Sequence, residues 1–238
     1  MICSNIQILG GKSMGSYLIY FAIIILVPIY AQFKVKSTYS KYTKVPTRAY
    51  MSGAEVARRI LDANGLHNVA VKETRGFLSD HYNPITKTVN LSSENYHNHS
   101  IAGAAVAAHE VGHAIQDKVG YPALRFRHAM VPVVNFSSNI AWIFIILGMI
   151  VTAMPSLLLI GIILMAAGVV FQLITLPVEF NASTRARDEM IALNLVGQDE
   201  ERSVKKVLDA AALTYVAAAA VAVLELLRLV LIFMNRND

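Results

Sequence analysis

The chain has 238 residues, 55% hydrophobic and only 16% charged, where an ordinary soluble domain carries about a quarter charged residues, so membrane spans are expected. One cysteine, Cys3, excludes an intrachain disulfide framework and any need for an oxidising compartment. The net charge of +5 comes with no basic stripe interleaved with aromatics, which excludes nucleic acid as a partner.

Four stretches are apolar enough for the roughly 20 residues that a bilayer-crossing helix needs. The first, 17–33, reads YLIYFAIIILVPIYAQF, with Pro28 inside it. It lacks a small-residue cleavage site and follows a single lysine, so it reads as a retained anchor. A polar block, 34–133, comes next and opens with an expected linker, KVKSTYSKYTKVPTRAY. SGAEVARRILDANGL then predicts a helix, with Ser52 as cap, Val56, Ile60 and Leu61 on one face, and Gly65 as stop. VAVKETRGFLSDHYNPITKTVNLS alternates apolar and polar residues around Asn83-Pro84, which predicts a short sheet with a turn. SIAGAAVAAHEVGHAIQDKVG predicts a small-residue helix ending at Gly120.

The second and third apolar stretches, about 134–154 and 156–176, are separated only around Met154-Pro155-Ser156 and predict a transmembrane hairpin over 134–176. A second polar segment, 177–209, leads to a fourth span, 210–233. That span carries Glu225 and Arg228 one turn apart, where each can offset the other's charge. An amphipathic interfacial helix is the alternative for this segment. Thirteen of the 21 Lys and Arg lie in the first polar block and five in the second. Four spans put both blocks on one face, and the positive charge makes that face cytoplasmic, with both termini outside.

The chemistry sits in AAHEVGHAIQD. Residues four apart share a helical face, so His109 and His113 can meet at one Zn²⁺. Glu110, rotated by about 100°, can reach a water on that metal without ligating it. Three protein ligands leave zinc one position for water, whose pKa falls toward about 7. The carboxylate can then take the proton and pass it to a leaving amine. Gly112 and the alanines at 102, 104, 105, 107 and 108 leave room for close approach by a neighbouring element. Burying two histidines and a glutamate among small residues demands partners, and a metal supplies one. For the third ligand, His67, His81, His97, His99 and His128 are open, and Glu179 in LPVEFNAS is the strongest candidate. It follows the third span directly, on the expected side, and a carboxylate at that depth also wants a cation.

LSDHYNP, AVAAHEVGHAIQD, LPVEFNAS and the order of spans together resemble the bacterial YugP-like neutral zinc metallopeptidases, a group of membrane proteases, over nearly the whole chain after Met14. More distantly they resemble the HtpX/Ste24-type membrane zinc proteases. That resemblance implies Glu179 as the third zinc ligand. It also places an aspartate four residues later, where this chain has Ser183; Asn181 or Asp117 are the alternatives for the missing acid. SDHY falls where gluzincin proteases have an edge strand that holds extended substrate. His81 or Tyr82 is therefore a candidate donor to the transition-state oxyanion, while Asp80 and Tyr82 can equally stabilise a turn. Tyr215, Arg185 and Arg187 are further candidates.

These observations predict a mainly α, four-helix transmembrane protein. A small α+β zincin-like cytoplasmic domain carries the HExxH helix. The expected activity is that of a zinc endopeptidase of the cell membrane, with one Zn²⁺ per chain and membrane-associated or unfolded polypeptides as substrates. A membrane adaptor with a structural zinc and no proteolysis is the main rival. A transporter is a weaker one, because the spans hold few charges.

Overall fold

The computed structural model describes residues 14–237, so Cys3 lies outside the described residues. The chain is mainly helical, with one three-stranded sheet. Among the described residues, four helices are long and apolar enough to cross a membrane. They are α1 (Met14–Tyr42), α5 (Pro122–Ile150), α6 (Pro155–Ala192) and α7 (Gln198–Asn237), and between α1 and α5 lie α2 (Gly53–Ala63), α3 (Ser93–His97) and α4 (Ile101–Lys118).

The chain forms two compact units. One comprises the segments through Tyr30, Met130–Leu173 and from Ala217 onward. Its packed residues are Ala141, Ile145, Leu158, Ile162 and Leu229. A Cβ on Gly161 would lie 2.8 Å from the Ile145 backbone nitrogen, so only glycine admits this helix contact. The start of α1 and the end of α7 are tied together in this unit. The Tyr20 hydroxyl donates to Glu225, and Arg228 pairs with Glu225 at 3.0 Å while lying 5.1 Å from the Tyr20 ring centroid. The expected Glu225–Arg228 pair therefore forms, with an aromatic cover. Beside the hairpin's turn, Arg236 donates to the Gly148 carbonyl at 2.7 Å, satisfying an acceptor at a helix C-terminus.

The second unit is Ala31–Ala129 with Ile174–Val216. Its core joins Ile60 and Leu61 of α2, Val89 and Leu91 of the sheet, the alanines of α4, and Met190, Leu195 and Val204 from the later segment. Ser52 caps α2 in a full capping box with Glu55, and Ser100 caps α4. Gly65 and Gly120 stand just beyond these two helices at φ +64 and +65, as left-handed stops. The sheet consists of β1 (Ala70–Thr74), β2 (His81–Asn83) and β3 (Thr88–Ser92), in the order β1-β3-β2. β3 is central, parallel to β1 and antiparallel to β2.

One local expectation needs correction. The stretch after residue 33 is not a linker at its start: α1 continues to Tyr42, because Tyr39 and Tyr42 bury themselves in the second unit's core. Pro46 follows, where a helix cannot continue. The helix of the third apolar stretch carries on well past its expected span. α6 runs through that residue to Ala192, with Val178, Ala182, Ala186 and Met190 buried on one side. Packing of that stripe offsets the roughly 3 kcal/mol that an interior proline costs.

Candidate metal centre

α4 and the C-terminal half of α6 build the site within the second unit. They approach closely at Gly112, where a Cβ would stand 2.5 Å from the carbonyl oxygen of Ala182. Only glycine permits that separation. Gly112→Ala is therefore expected to cost about 1–3 kcal/mol of stability through overpacking and to weaken metal binding by pushing Glu179 outward. Thermal unfolding of the detergent-solubilised chain with and without zinc checks this; an unchanged transition contradicts it.

The close approach brings His109, His113 and Glu179 together, with one ligand atom of each within 4.8 Å of the others. Glu179 Oε2 lies 3.1 Å from His109 Nε2 and 3.6 Å from His113 Nε2. Donors on a tetrahedral zinc with bonds of about 2.0–2.1 Å sit about 3.3 Å apart, so these separations fit such an ion. The donor chemistry, two imidazoles and a carboxylate, fits it too.

Each of these three donors is held from behind. Ser183 Oγ lies 3.1 Å from His109 Nδ1, and Gln116 Oε1 lies 3.0 Å from His113 Nδ1. A proton on each Nδ1 turns the Nε2 lone pairs inward, which is the tautomer a metal needs. Gln116 is fully buried, and its amide donates to the Val178 carbonyl at 2.8 Å and to Asn181 Oδ1 at 3.0 Å. It thus ties α4 to the residue preceding Glu179. Arg127 approaches the other carboxylate oxygen of Glu179 at 3.3 Å, supplying the cation that so deep an acid requires. Tyr215 lies near enough to feel the charges of Glu179 and Glu110. Burial pushes the His113 imidazole toward its neutral form, but the Glu179 hydrogen bond and the charges of Glu110 and Glu179 outweigh this and raise its pKa.

Glu110 is buried beside this group and is not among the three converging donors. Its Oε2 accepts the Tyr82 backbone N–H at 2.9 Å. The Tyr82 hydroxyl donates to Asp117 at 2.7 Å, so the phenol is already engaged. His81 points to the opposite face of β2; its ring meets the Ser79 carbonyl and the Asn90 amide, and the structure does not bring it to the histidine pair. Asp80 accepts from the Ser92 N–H at 2.8 Å and the Asn95 amide at 2.9 Å, fixing the loop before β2. Arg185 braces Asn181, and Arg187 lies by Asp188. Of the other candidate histidines, His67 pairs with Asp62, His97 with Glu73, and His99 stacks on Tyr50, while His128 is near enough to His113 to feel its charge but is not among the converging donors.

Of the alternatives for the missing acid, neither Asn181 nor Asp117 hydrogen-bonds His109 or His113; Ser183 meets His109 itself. Sequence reasoning missed Gln116 and Arg127. Gln116 carried a signal, three residues after His113 on the same helical face. Arg127 carried none, since its contact with Glu179 is non-local.

Residues 17–234 match the family model described as "Putative neutral zinc metallopeptidase". The chain is 52% identical over 209 residues, 88% of this chain and 92% of the relative, to the "Putative membrane protease YugP" of Bacillus subtilis (strain 168). No solved structure matches it.

Proposed function

Because this chain belongs to the neutral zinc metallopeptidase family, we propose that it is a multi-pass zinc endopeptidase of the cell membrane that cuts membrane-associated or unfolded polypeptides. The observation that carries this reading is the convergence of His109, His113 and Glu179 with an unliganded carboxylate, Glu110, on the same helix. In this reading the HExxH helix and the distal Glu179 form a gluzincin-like site on a zincin-like domain.

His109, His113 and Glu179 would hold one zinc per chain through Nε2, Nε2 and Oε2. When bound, zinc supplies a polarised, acidified water and a Lewis acid for the scissile carbonyl. Glu110 accepts a proton from the attacking water and returns it to the leaving amine. The Tyr82 N–H keeps that carboxylate in one orientation. Ser183 and Gln116 keep the imidazoles facing inward, and Arg127 holds Glu179. β2 is an edge strand beside Glu110; its outward N–H at Tyr82 serves that carboxylate, and its outward Tyr82 carbonyl is the group through which an extended polypeptide meets this edge. His81, on the other face of that strand, contacts substrate side chains rather than the reacting carbonyl in this reading.

The Lys and Arg distribution supports a cytoplasmic site. The pairing of Tyr20 with Glu225 joins the first span to the fourth and agrees with an even number of crossings, which puts both polar blocks on one face. The position of Glu179 on α6, soon after the third span, supports a site accessible to chains at the membrane surface.

The test is cleavage of an unfolded polypeptide such as casein by the purified full-length chain. Cleavage should stop on zinc removal with 1,10-phenanthroline and return with stoichiometric Zn²⁺. Zinc binding without cleavage of any unfolded chain would favour the adaptor reading instead.

A further inference from the structure

Tyr82 stands between two acids of α4. Its backbone N–H donates to Glu110 at 2.9 Å, and its hydroxyl donates to Asp117 Oδ2 at 2.7 Å. The two acids are two helical turns apart on one face of α4. Lys87, at the end of the turn between β2 and β3, reaches the same Asp117 oxygen at 2.5 Å. Burial pushes the Asp117 carboxyl up, but hydrogen bonds from Lys87 and Tyr82 outweigh this and hold it below the ordinary carboxylate range. Burial and Asp117 both raise the Tyr82 phenol. At neutral pH the pair is therefore an anion and a neutral donor.

The strand these contacts secure needs securing. β2 has three residues, occupies the sheet edge and pairs only with β3 among the described strands. So short an edge strand has little stability of its own. Tyr82 sits opposite Val89, and its N–H turns away from β3 toward α4. The orientation of the Glu110 carboxylate therefore depends on where the backbone of residue 82 lies. That position is set on one side by the β3 ladder and on the other by the phenol anchored to Asp117.

We propose that Asp117 is a positioning residue for peptide hydrolysis: it holds edge strand β2 through the Tyr82 hydroxyl, so that the Tyr82 N–H aims the Glu110 carboxylate. Lys87 in turn holds Asp117. This assignment rests on the peptidase reading above and gives a role to three residues that touch neither metal ligand nor reacting bond.

The experiment measures kcat, KM and zinc content for the full-length chain against casein, with Tyr82→Phe, Asp117→Leu and their double variant. Each single change should lower kcat by about ten- to 100-fold, the scale of a misplaced catalytic group, with zinc content and KM unchanged. The double variant should be no worse than the poorer single one, because both remove the same bond. Asp117→Asn, which keeps an acceptor for the phenol, should recover most of the rate. Wild-type kcat in Tyr82→Phe, losses that multiply in the double variant, or a loss accompanied by missing zinc would each overturn the assignment. Glu110→Gln run alongside separates the two levels. If that variant cleaves normally, the peptidase mechanism itself fails. If it is dead while Tyr82→Phe is normal, only the role of Asp117 fails.

Discussion

Replacing Glu110 with glutamine is expected to leave zinc bound and to lower peptide hydrolysis by about 10²- to 10⁴-fold, the range set by a lost general base. Glutamine has nearly the same shape, and its amide oxygen can still accept the Tyr82 N–H that now meets Oε2 at 2.9 Å. What disappears is the basic carboxylate. Glu110 is not one of the three donors that converge, so metal content, measured by atomic emission on the purified variant, should match the wild type. A variant with full turnover contradicts the assignment of Glu110 as base. A variant lacking zinc would instead make Glu110 a ligand.

The second large effect falls on Glu179. Glu179→Ala removes the only carboxylate among the converging donors and leaves Arg127 facing a void where a 3.3 Å ion pair had been. Glu179 is only 3% exposed, and stripping one partner from a buried pair costs about 3–5 kcal/mol. Two penalties should therefore appear together. Stability of the metal-free chain should drop. Zinc affinity, read by competition with a chromophoric chelator, should fall by more than the roughly 10–100-fold typical of losing a mere supporting partner. Glu179→Gln keeps the volume, so its zinc loss should exceed its stability loss. Unchanged zinc affinity in both variants would remove Glu179 from the metal set and reopen the search among the histidines.

How much of this was legible in the sequence differs from residue to residue, for physical reasons. His109 and His113 were readable because helical periodicity fixes their shared face without help from the rest of the chain. Gly112 was readable as a place of close approach, though not the identity of its neighbour, Ala182. Glu179 lies 70 residues from His109, and no local spacing connects them. Only its place after an apolar stretch and the family resemblance singled it out. The departure at Ser183 looked like a lost acid; in the structure a hydroxyl meets the His109 ring directly, and Arg127 supplies charge from a different direction.

Helix ends were misjudged where composition changed but periodicity did not. At residues 34–42 the polar residues conceal Tyr39 and Tyr42, a buried pair three apart. Beyond Pro177 the buried stripe of α6 carries on at Val178, Ala182 and Ala186. A drop in hydrophobicity marks where a helix changes its surroundings, not where it stops. Tyr82 shows another limit: its phenol was weighed as a catalytic donor, yet its backbone N–H makes the contact with Glu110. Main-chain groups carry no residue-specific signal.

The most direct measurement is anomalous scattering at the zinc edge from crystals of the zinc-loaded full-length chain. One peak per chain is expected, bounded by His109 Nε2, His113 Nε2 and Glu179 Oε2, with the remaining position open to solvent and Glu110 beside it. A peak distant from Glu179, or a fourth protein ligand closing the site, would contradict a hydrolytic zinc centre shared between α4 and α6.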